Sequence, residues 1–298
     1  MKTSGIIFNI VLVALTVSLL CVWFYPSVED FIAGNRMWNG VKDFTESFEA
    51  ENLESIDELA AAPVGIAMVA IPYLEYAESH MDRMKEYLEN GGTLLVMDDY
   101  GYGNTILEYL GVTPRFSGDT LLDPLFNYKN QYLPRVTDFA PAVTESGVDV
   151  ILLNYATALT GLTDADVLAW SSEASYLDSN ANGSLDSFEA AGPHPVAAEI
   201  ACGKGRLILV ADPSIVINTM VGRDDNNAFV EWLMSRHGDV TRVVFDNSHL
   251  SDTPLDVSKA GLTDTRDLLS KPYPVIGITA LAFIGISRFT LRKGEKVG

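Results

Sequence analysis

The stretch at residues 91–104, GGTLLVMDDYGYGN, limits what this chain can fold into more than any other. A helical pattern over 78–90 runs into a Gly-Gly turn. Five residues suited to a buried strand follow (93–97), with two acids at the strand's end. Tyr100-Gly101-Tyr102-Gly103 then leads into a new helical pattern over 104–110. Helix, glycine turn, apolar strand, polar strand end and next helix form the repeating unit of an open parallel α/β sheet. Ligands of such sheets sit beyond the carboxyl ends of the strands, which makes Asp98 and Asp99 the first candidates for chemistry.

The neighbouring segments extend this unit. Residues 64–71 (VGIAMVAI), closed by Pro72, read as a buried strand, and 76–88 as a helix facing inward through Met81, Met84, Tyr87 and Leu88. Before them, Trp38, Val41, Phe44 and Phe48 lie on one helical face within 35–49. Residues 113–141, rich in Pro, Asn, Asp and aromatics, have no sustained period and read as an excursion with short strands, a lid over the sheet edge. Residues 148–155 and 167–176 are strand-like. Residues 196–201 and 206–211 bracket Cys-Gly-Lys-Gly as a hairpin. A helix over 226–236 and a strand over 240–245 close the domain.

Both ends differ from this middle. Lys2 and Glu29 enclose an uncharged, nearly all apolar run, 6–24, long enough for a bilayer core of about 30 Å. A second apolar run, 274–287, precedes Arg288, Arg292, Lys293 and Lys296. The expected organisation is a tip and membrane-spanning helix at 1–26, an extracytoplasmic α/β domain at 27–250, a linker at 251–272, a second span at 273–291 and a basic tail at 292–298. The basic residues outside the spans place both termini in the cytoplasm and the protein in the cell membrane, with the lipid bilayer as a partner. Setting aside Lys2, the four tail bases and Glu295 leaves 15 bases against 39 acids, about −24. Such a surface repels nucleic acid. Cys202 is the one cysteine outside the apolar runs, so no disulfide forms within the middle region.

One motif is specific. Counted from Asp178, DSNANGSLDSFE places side-chain oxygens at positions 1, 3 and 5 (Asp178, Asn180, Asn182), Gly183 at 6, Asp186 at 9 and Glu189 at 12. This is the calcium-loop pattern: alternating oxygen ligands wrap a hard cation, the chain turns at a glycine, and a bidentate carboxylate finishes the shell. Ser184 contributes its backbone carbonyl. Strand-like residues precede the loop, and AAGPHP follows it, so the expectation is an isolated structural Ca2+ loop joining sheet elements rather than a helix–loop–helix switch.

Catalytic signals are weaker. His80, His194 and His237 read as solvated, and His249 follows Asp246 and Ser248 without a nucleophile turn beside it. No phosphate-cradling loop or zinc spacing is present in the sequence. Asp98 and Asp99, Asp212 with Ser214, and Asp246 stand at three strand ends, and Asn226 at a helix start. They form a candidate ligand pocket, or else caps and turns.

WNG near the start, GGTLLVMDDYGYGN, LNY, the SYLDSNANGSLDSFE loop with its GPHPVAAE continuation, and GRLILVADPSIVIN followed by DNNAF resemble one group of proteins. These are the archaeal membrane-anchored proteins of domain-of-unknown-function family 4350, related to class I glutamine amidotransferases. The resemblance implies an α/β, flavodoxin-like layered sheet flanked by one N-terminal and one C-terminal transmembrane helix. It also implies membrane-protein partners, with a MoxR-type ATPase on the cytoplasmic side. Amidotransferases carry a cysteine at the strand–helix turn and a His-Pro-Glu after a later strand. Here Asp98-Asp99-Tyr100 and Asp212-Pro213-Ser214 stand in those places, so the thiolate and its base are both missing. The reading is a pseudoenzyme: a membrane-tethered, non-catalytic binding or scaffold protein with a calcium loop. The alternative is a carboxylate-dependent hydrolase acting on an extracellular saccharide.

Overall fold

The computed structural model describes residues 3–25, 27–238, 240–251 and isolated positions between 255 and 268. The chain divides into two units, Met1–Tyr25 with Asp252–Gly298, and Pro26–Ser251. In the first, helix α1 (Thr3–Phe24) holds the N-terminal apolar run. Among the described residues no helix is long and apolar enough to cross a membrane. This corrects the expected pair of transmembrane helices. The cell-membrane location, cytoplasmic termini and extracytoplasmic placement that rested on them are corrected with it. The second apolar run, 273–291, lies outside the described residues.

The second unit opens with α2 (Lys42–Ser47), β1 (Glu51–Leu53), β2 (Ile66–Ala70), α3 (Glu78–Glu89), β3 (Thr93–Met97) and α4 (Gly103–Tyr109). Short pieces follow: β4 (Arg115–Phe116), β5 (Thr120–Leu122), β6 (Arg135–Val136), β7 (Asp138–Phe139), α5 (Pro141–Thr144), β8 (Ile151–Leu152), β9 (Leu159–Thr160) and β10 (Val167–Trp170). It ends with β11 (Tyr176–Asp178), β12 (Pro195–Cys202), β13 (Gly205–Val210), α6 (Asn226–Ser235) and β14 (Arg242–Asp246).

The fold is mixed α/β around an eight-stranded sheet ordered β1-β14-β2-β3-β13-β12-β10-β7. The first five strands in that order are parallel. The last three continue antiparallel, so the parallel expectation holds for one half of the sheet. β2, and β3 after Thr93, are apolar because both faces are covered. Ala67, Val69, Leu95 and Met97 pack with Phe44 of α2 and Phe229 and Val230 of α6. The alternate residues Met68, Ala70, Leu94 and Val96 pack with Met84 and Leu88 of α3 and Ile106 and Leu107 of α4. The period of two divides each strand between two cores.

The β12–β13 hairpin turns at Gly203 and Lys204, with Gly203 at φ +61°, the glycine-first pattern of a type II′ turn. Beside it, a Cβ on Gly205 would lie 2.3 Å from the Gly92 carbonyl oxygen and 2.6 Å from that of Leu88. Both are backbone atoms that side-chain rotation does not move. Gly205→Ala is expected to lower stability by about 1–2 kcal/mol, read as a lower urea midpoint at unchanged slope.

Three elements are shorter than the sequence pattern predicts, each because side chains capture the backbone. The helix in 35–49 begins only at Lys42, and Trp38 is 62% exposed. Asn35 instead closes a turn, donating to the Glu29 carbonyl at 2.7 Å and accepting from the Met37 N–H at 2.7 Å. Strand 148–155 shrinks to β8 because Asp225 accepts from the Asp149 and Val150 N–H groups and Asn226 accepts from that of Leu152. The 167–176 run breaks where the Ser175 hydroxyl donates to the Ser172 carbonyl. The irregular 113–141 region supplies β4, β5, β6 and β7, each paired with a later strand.

Candidate functional site

Three of the five candidate ligand-binding residues meet at the carboxyl ends of β3 and β13. Asp98 is buried and accepts from the Gly101 and Gly103 N–H groups, one on each oxygen, at 2.8 and 2.7 Å. It fixes the glycine turn and the start of α4. Asp212 is fully buried, accepts from the Ser214 N–H at 2.7 Å and the Asn154 N–H at 2.6 Å, and so caps a short 3-10 turn, Pro213–Val216. Asp99 is half-buried, and one of its oxygens accepts from the Tyr100 N–H at 2.6 Å. Burial raises the Asp98 carboxyl against the pull of its backbone donors. Burial pushes Asp99 up to about 6, with the Asp98 charge adding to it. Asp212 is raised well above the usual carboxylate range, by burial first and also by the Asp99 charge. These acids therefore sense one another.

The other two candidates are fixed elsewhere or peripheral. Asn226 is fully buried, accepting from the Leu152 N–H at 2.8 Å and donating to the Leu152 and Met220 carbonyls. It ties α6 to β8 and does not open onto the acids. Ser214 takes part through its backbone N–H in the Asp212 cap.

Above Asp99 lies an aromatic shelf that the sequence reading did not include. The Tyr100 hydroxyl donates to the Tyr155 carbonyl at 3.0 Å and lies 3.0 Å from the Thr120 hydroxyl. Tyr155, at φ +55°, stacks on Tyr132 with 4.7 Å between ring centroids. Burial pushes the Tyr100 hydroxyl up to about 12, and the charges of Asp99, Asp212 and Asp119 add to it. Tyr100 and Tyr155 remain half exposed, so the shelf presents ring faces beside one half-free carboxylate. Only the glycine-flanked tyrosines in YGYG hinted at this in the sequence.

A second cluster surrounds Asp246 at the end of β14. One oxygen accepts from the Tyr76 hydroxyl and from His249 Nδ1 at 2.9 Å. The other accepts from the Ser248 N–H at 3.0 Å and the Ser248 hydroxyl at 2.6 Å. His249 Nε2 meets His80 Nδ1 at 3.1 Å, and the His249 ring stacks on Tyr76 at 3.5 Å. His80 is thus a partner of a buried histidine rather than a solvated side chain. Burial works to raise Asp246, yet the hydrogen bonds from His249, Ser248 and Tyr76 hold it below the ordinary carboxylate value. Ser248 and Asp246 both approach the same nitrogen, Nδ1, of His249. A nucleophile–base–acid relay needs the hydroxyl and the carboxylate on opposite ring nitrogens, so this cluster is not one.

The 178–189 loop closes on itself through its six motif positions. Asp178 accepts from the Asn182 and Gly183 N–H groups at 3.0 and 2.8 Å. The Asn180 and Asn182 amides both donate to one oxygen of Asp186, at 2.8 and 2.7 Å. Glu189 accepts from the Ser179 and Asp186 N–H groups, both at 2.9 Å. The Ser184 N–H donates to Asn182 Oδ1 at 2.7 Å. Gly183 sits at φ +74°, where a side chain would strain the turn, and its carbonyl accepts from Gln131 at 2.9 Å. The side chains of positions 3, 5 and 9 converge through their own hydrogen bonds, and among the described residues no three His, Cys, Asp or Glu side chains are grouped to hold a metal ion. β11 leads into the loop and a bridge between Tyr176 and Ala191 closes it, so sheet elements flank it on both sides.

The family model described as "Domain of unknown function (DUF4350)" matches residues 33–234. No curated protein matches the chain. Among solved structures, the mmIFT52 N-terminal domain is similar at 15% identity and a TM-score of 0.51, over 66% of this chain and 91% of that one. A thua-like protein from Parabacteroides merdae ATCC 43184 is similar at 14% identity and a TM-score of 0.38, over 68% and 82%. A β-galactosidase from Bacillus circulans sp. alkalophilus is similar at 11% identity and a TM-score of 0.30, over 53% of this chain and 22% of that one. At 15% identity the first likeness is one of fold alone.

Proposed function

The chain belongs to the DUF4350 family, and from that premise we propose a non-catalytic binding or scaffold domain. It is built on a class I glutamine-amidotransferase-like layered sheet and carries one structural Ca2+ in the 178–189 loop. The observation that carries this reading is the use of the strand-end acids. Asp98 and Asp212 each give both oxygens to backbone N–H groups, so they hold turns instead of facing a substrate. Two-carboxylate hydrolysis needs two carboxyl groups free to act, and only Asp99 keeps an oxygen outside these caps. Protein partners, including an assembly with a MoxR-type ATPase, follow from the family resemblance.

Purification of the tagged full chain from its own cells, with calcium present, tests the binding reading. A stoichiometric protein partner is expected. A chain that arrives alone and hydrolyses glycosides, with the activity lost in Asp99→Ala, would sink it. The ion has its own test. Calcium at about ten times its dissociation constant, taken as 10⁻⁴ to 10⁻³ M, is expected to stabilise the fold by about 1.4 kcal/mol. The thermal midpoint then rises with calcium and falls with chelator, and Glu189→Gln abolishes the response. Equal midpoints in millimolar calcium and chelator would remove the ion.

A further inference from the structure

At the amino ends of the parallel strands, away from the strand-end acids and the 178–189 loop, lies a cavity of about 340 Å³. Gly65, Gly91 and Thr93 line it on one side, and Lys204, Arg206 and His237 on the other. Behind these sits Glu199, whose side chain is only 9% exposed. One Glu199 oxygen is 3.1 Å from the Arg206 guanidinium and 2.6 Å from His237 Nε2, and the other is 3.4 Å from Arg236 Nε. The domain between Pro26 and Ser251 holds 12 Lys and Arg against 35 Asp and Glu. Two of those 12, Lys204 and Arg206, line the cavity with His237, and a third, Arg236, reaches Glu199 from beneath while stacking on Trp232.

We propose that this cavity binds a small ligand through a compact oxyanion group, a phosphate or a carboxylate. The lining holds two permanent cations and no carboxylate, and Glu199 is shared behind it between Arg206 and Arg236, which leaves positive charge at a concave, glycine-lined wall. A guanidinium held by a buried acid is already oriented, so it loses little freedom on engaging a second anion. Arg236 Nη1 and Glu199 Oε2 are both buried with no hydrogen-bond partner among the described residues, and Lys204 stands at the exposed hairpin tip. Gly65, Gly91 and Gly238 bring no side chain to the lining. The site is independent of the binding reading given for the strand ends.

Thermal midpoints of the full chain in chelator, at fixed ionic strength, test this with inorganic phosphate and succinate as probes and chloride as the reference. A saturable rise with phosphate, or with succinate if the group is a carboxylate, is the expected result. Lys204→Gln should raise the half-saturating concentration at least about tenfold. Arg206→Gln should do the same, but it also breaks an ion pair, so Lys204→Gln is the deciding variant because its side chain is exposed. A linear response shared with chloride, or a saturable one that Lys204→Gln leaves unchanged, would overturn the inference. So would a response that appears only in Asp239→Asn, the sequence neighbour of lining residue Gly238, because the natural chain would then not bind the anion.

Discussion

Asp246→Ala is expected to cost about 3–5 kcal/mol, the range for removing one partner from a buried charged network. Asp246 is fully buried and accepts from Tyr76, His249 and the backbone and hydroxyl of Ser248. Alanine leaves those donors without an acceptor in a site where Tyr76 is 3% and His249 5% exposed, so water does not replace it. The sign is fixed by the carboxyl's lowered pKa: the native surroundings favour the charged form despite burial. The contribution of Asp246 is therefore present above the ordinary carboxylate value and is lost as pH falls through its lowered native value. Urea midpoints at neutral pH check the magnitude, with Asp246→Asn expected to lose less because one oxygen remains. A loss below about 1 kcal/mol for Asp246→Ala would show that Tyr76 and His249 find other partners.

What the sequence disclosed about this fold follows the strength of local signals. The Gly-Gly turn before 93–97 and the Cys-Gly-Lys-Gly turn before 206–211 mark β3 and β13, because backbone conformation and burial on both faces write themselves into short apolar runs. Of the antiparallel half, the β12–β13 hairpin was legible, but the pairing of β10 with β12 and β7 was not. Strands β7 and β10 are two and four residues long, and Phe139 pairs with Ala169 across about thirty positions of chain. Trp38 shows the opposite failure: its helical spacing with Val41 and Phe44 was real, but Asn35 offered the backbone a closer bond. The apolar run at the N-terminus is helical as α1, yet among the described residues no helix is long and apolar enough to cross a membrane. For the site, residue type located Asp98, Asp99 and Asp212. Their division into two caps and one half-free acid depended on which N–H groups lay within reach, and no spacing rule carries that.

That division has a consequence for pH. Asp99 titrates at about 6 in the folded protein, raised from 3.8 by burial first and by Asp98 second. In the unfolded chain it returns to the ordinary value. Between about pH 4 and 6 the native state therefore holds a proton that the unfolded state has released, and stability falls as pH rises through this window. At neutral pH Asp99 is charged in a place that disfavours the charge. Asp99→Asn keeps an oxygen for the Tyr100 N–H and removes that charge, so it is expected to stabilise the protein by about 2 kcal/mol at pH 7. The gain should vanish near pH 4, where the natural carboxyl is already neutral. Asp212 works in the same direction, because its own raised value rests partly on the Asp99 charge and relaxes when that charge is gone. Urea midpoints of both proteins from pH 4 to 8 check this: the natural curve should slope and the variant's should be flatter. Parallel curves would mean that solvent reaches the free oxygen of Asp99 and leaves it an ordinary carboxylate. A natural protein that keeps a destabilising acid beside an exposed tyrosine shelf carries a local cost that a bound partner can relieve. A donor placed against Asp99 would do so, and partner binding should then release the pH slope together with the cost.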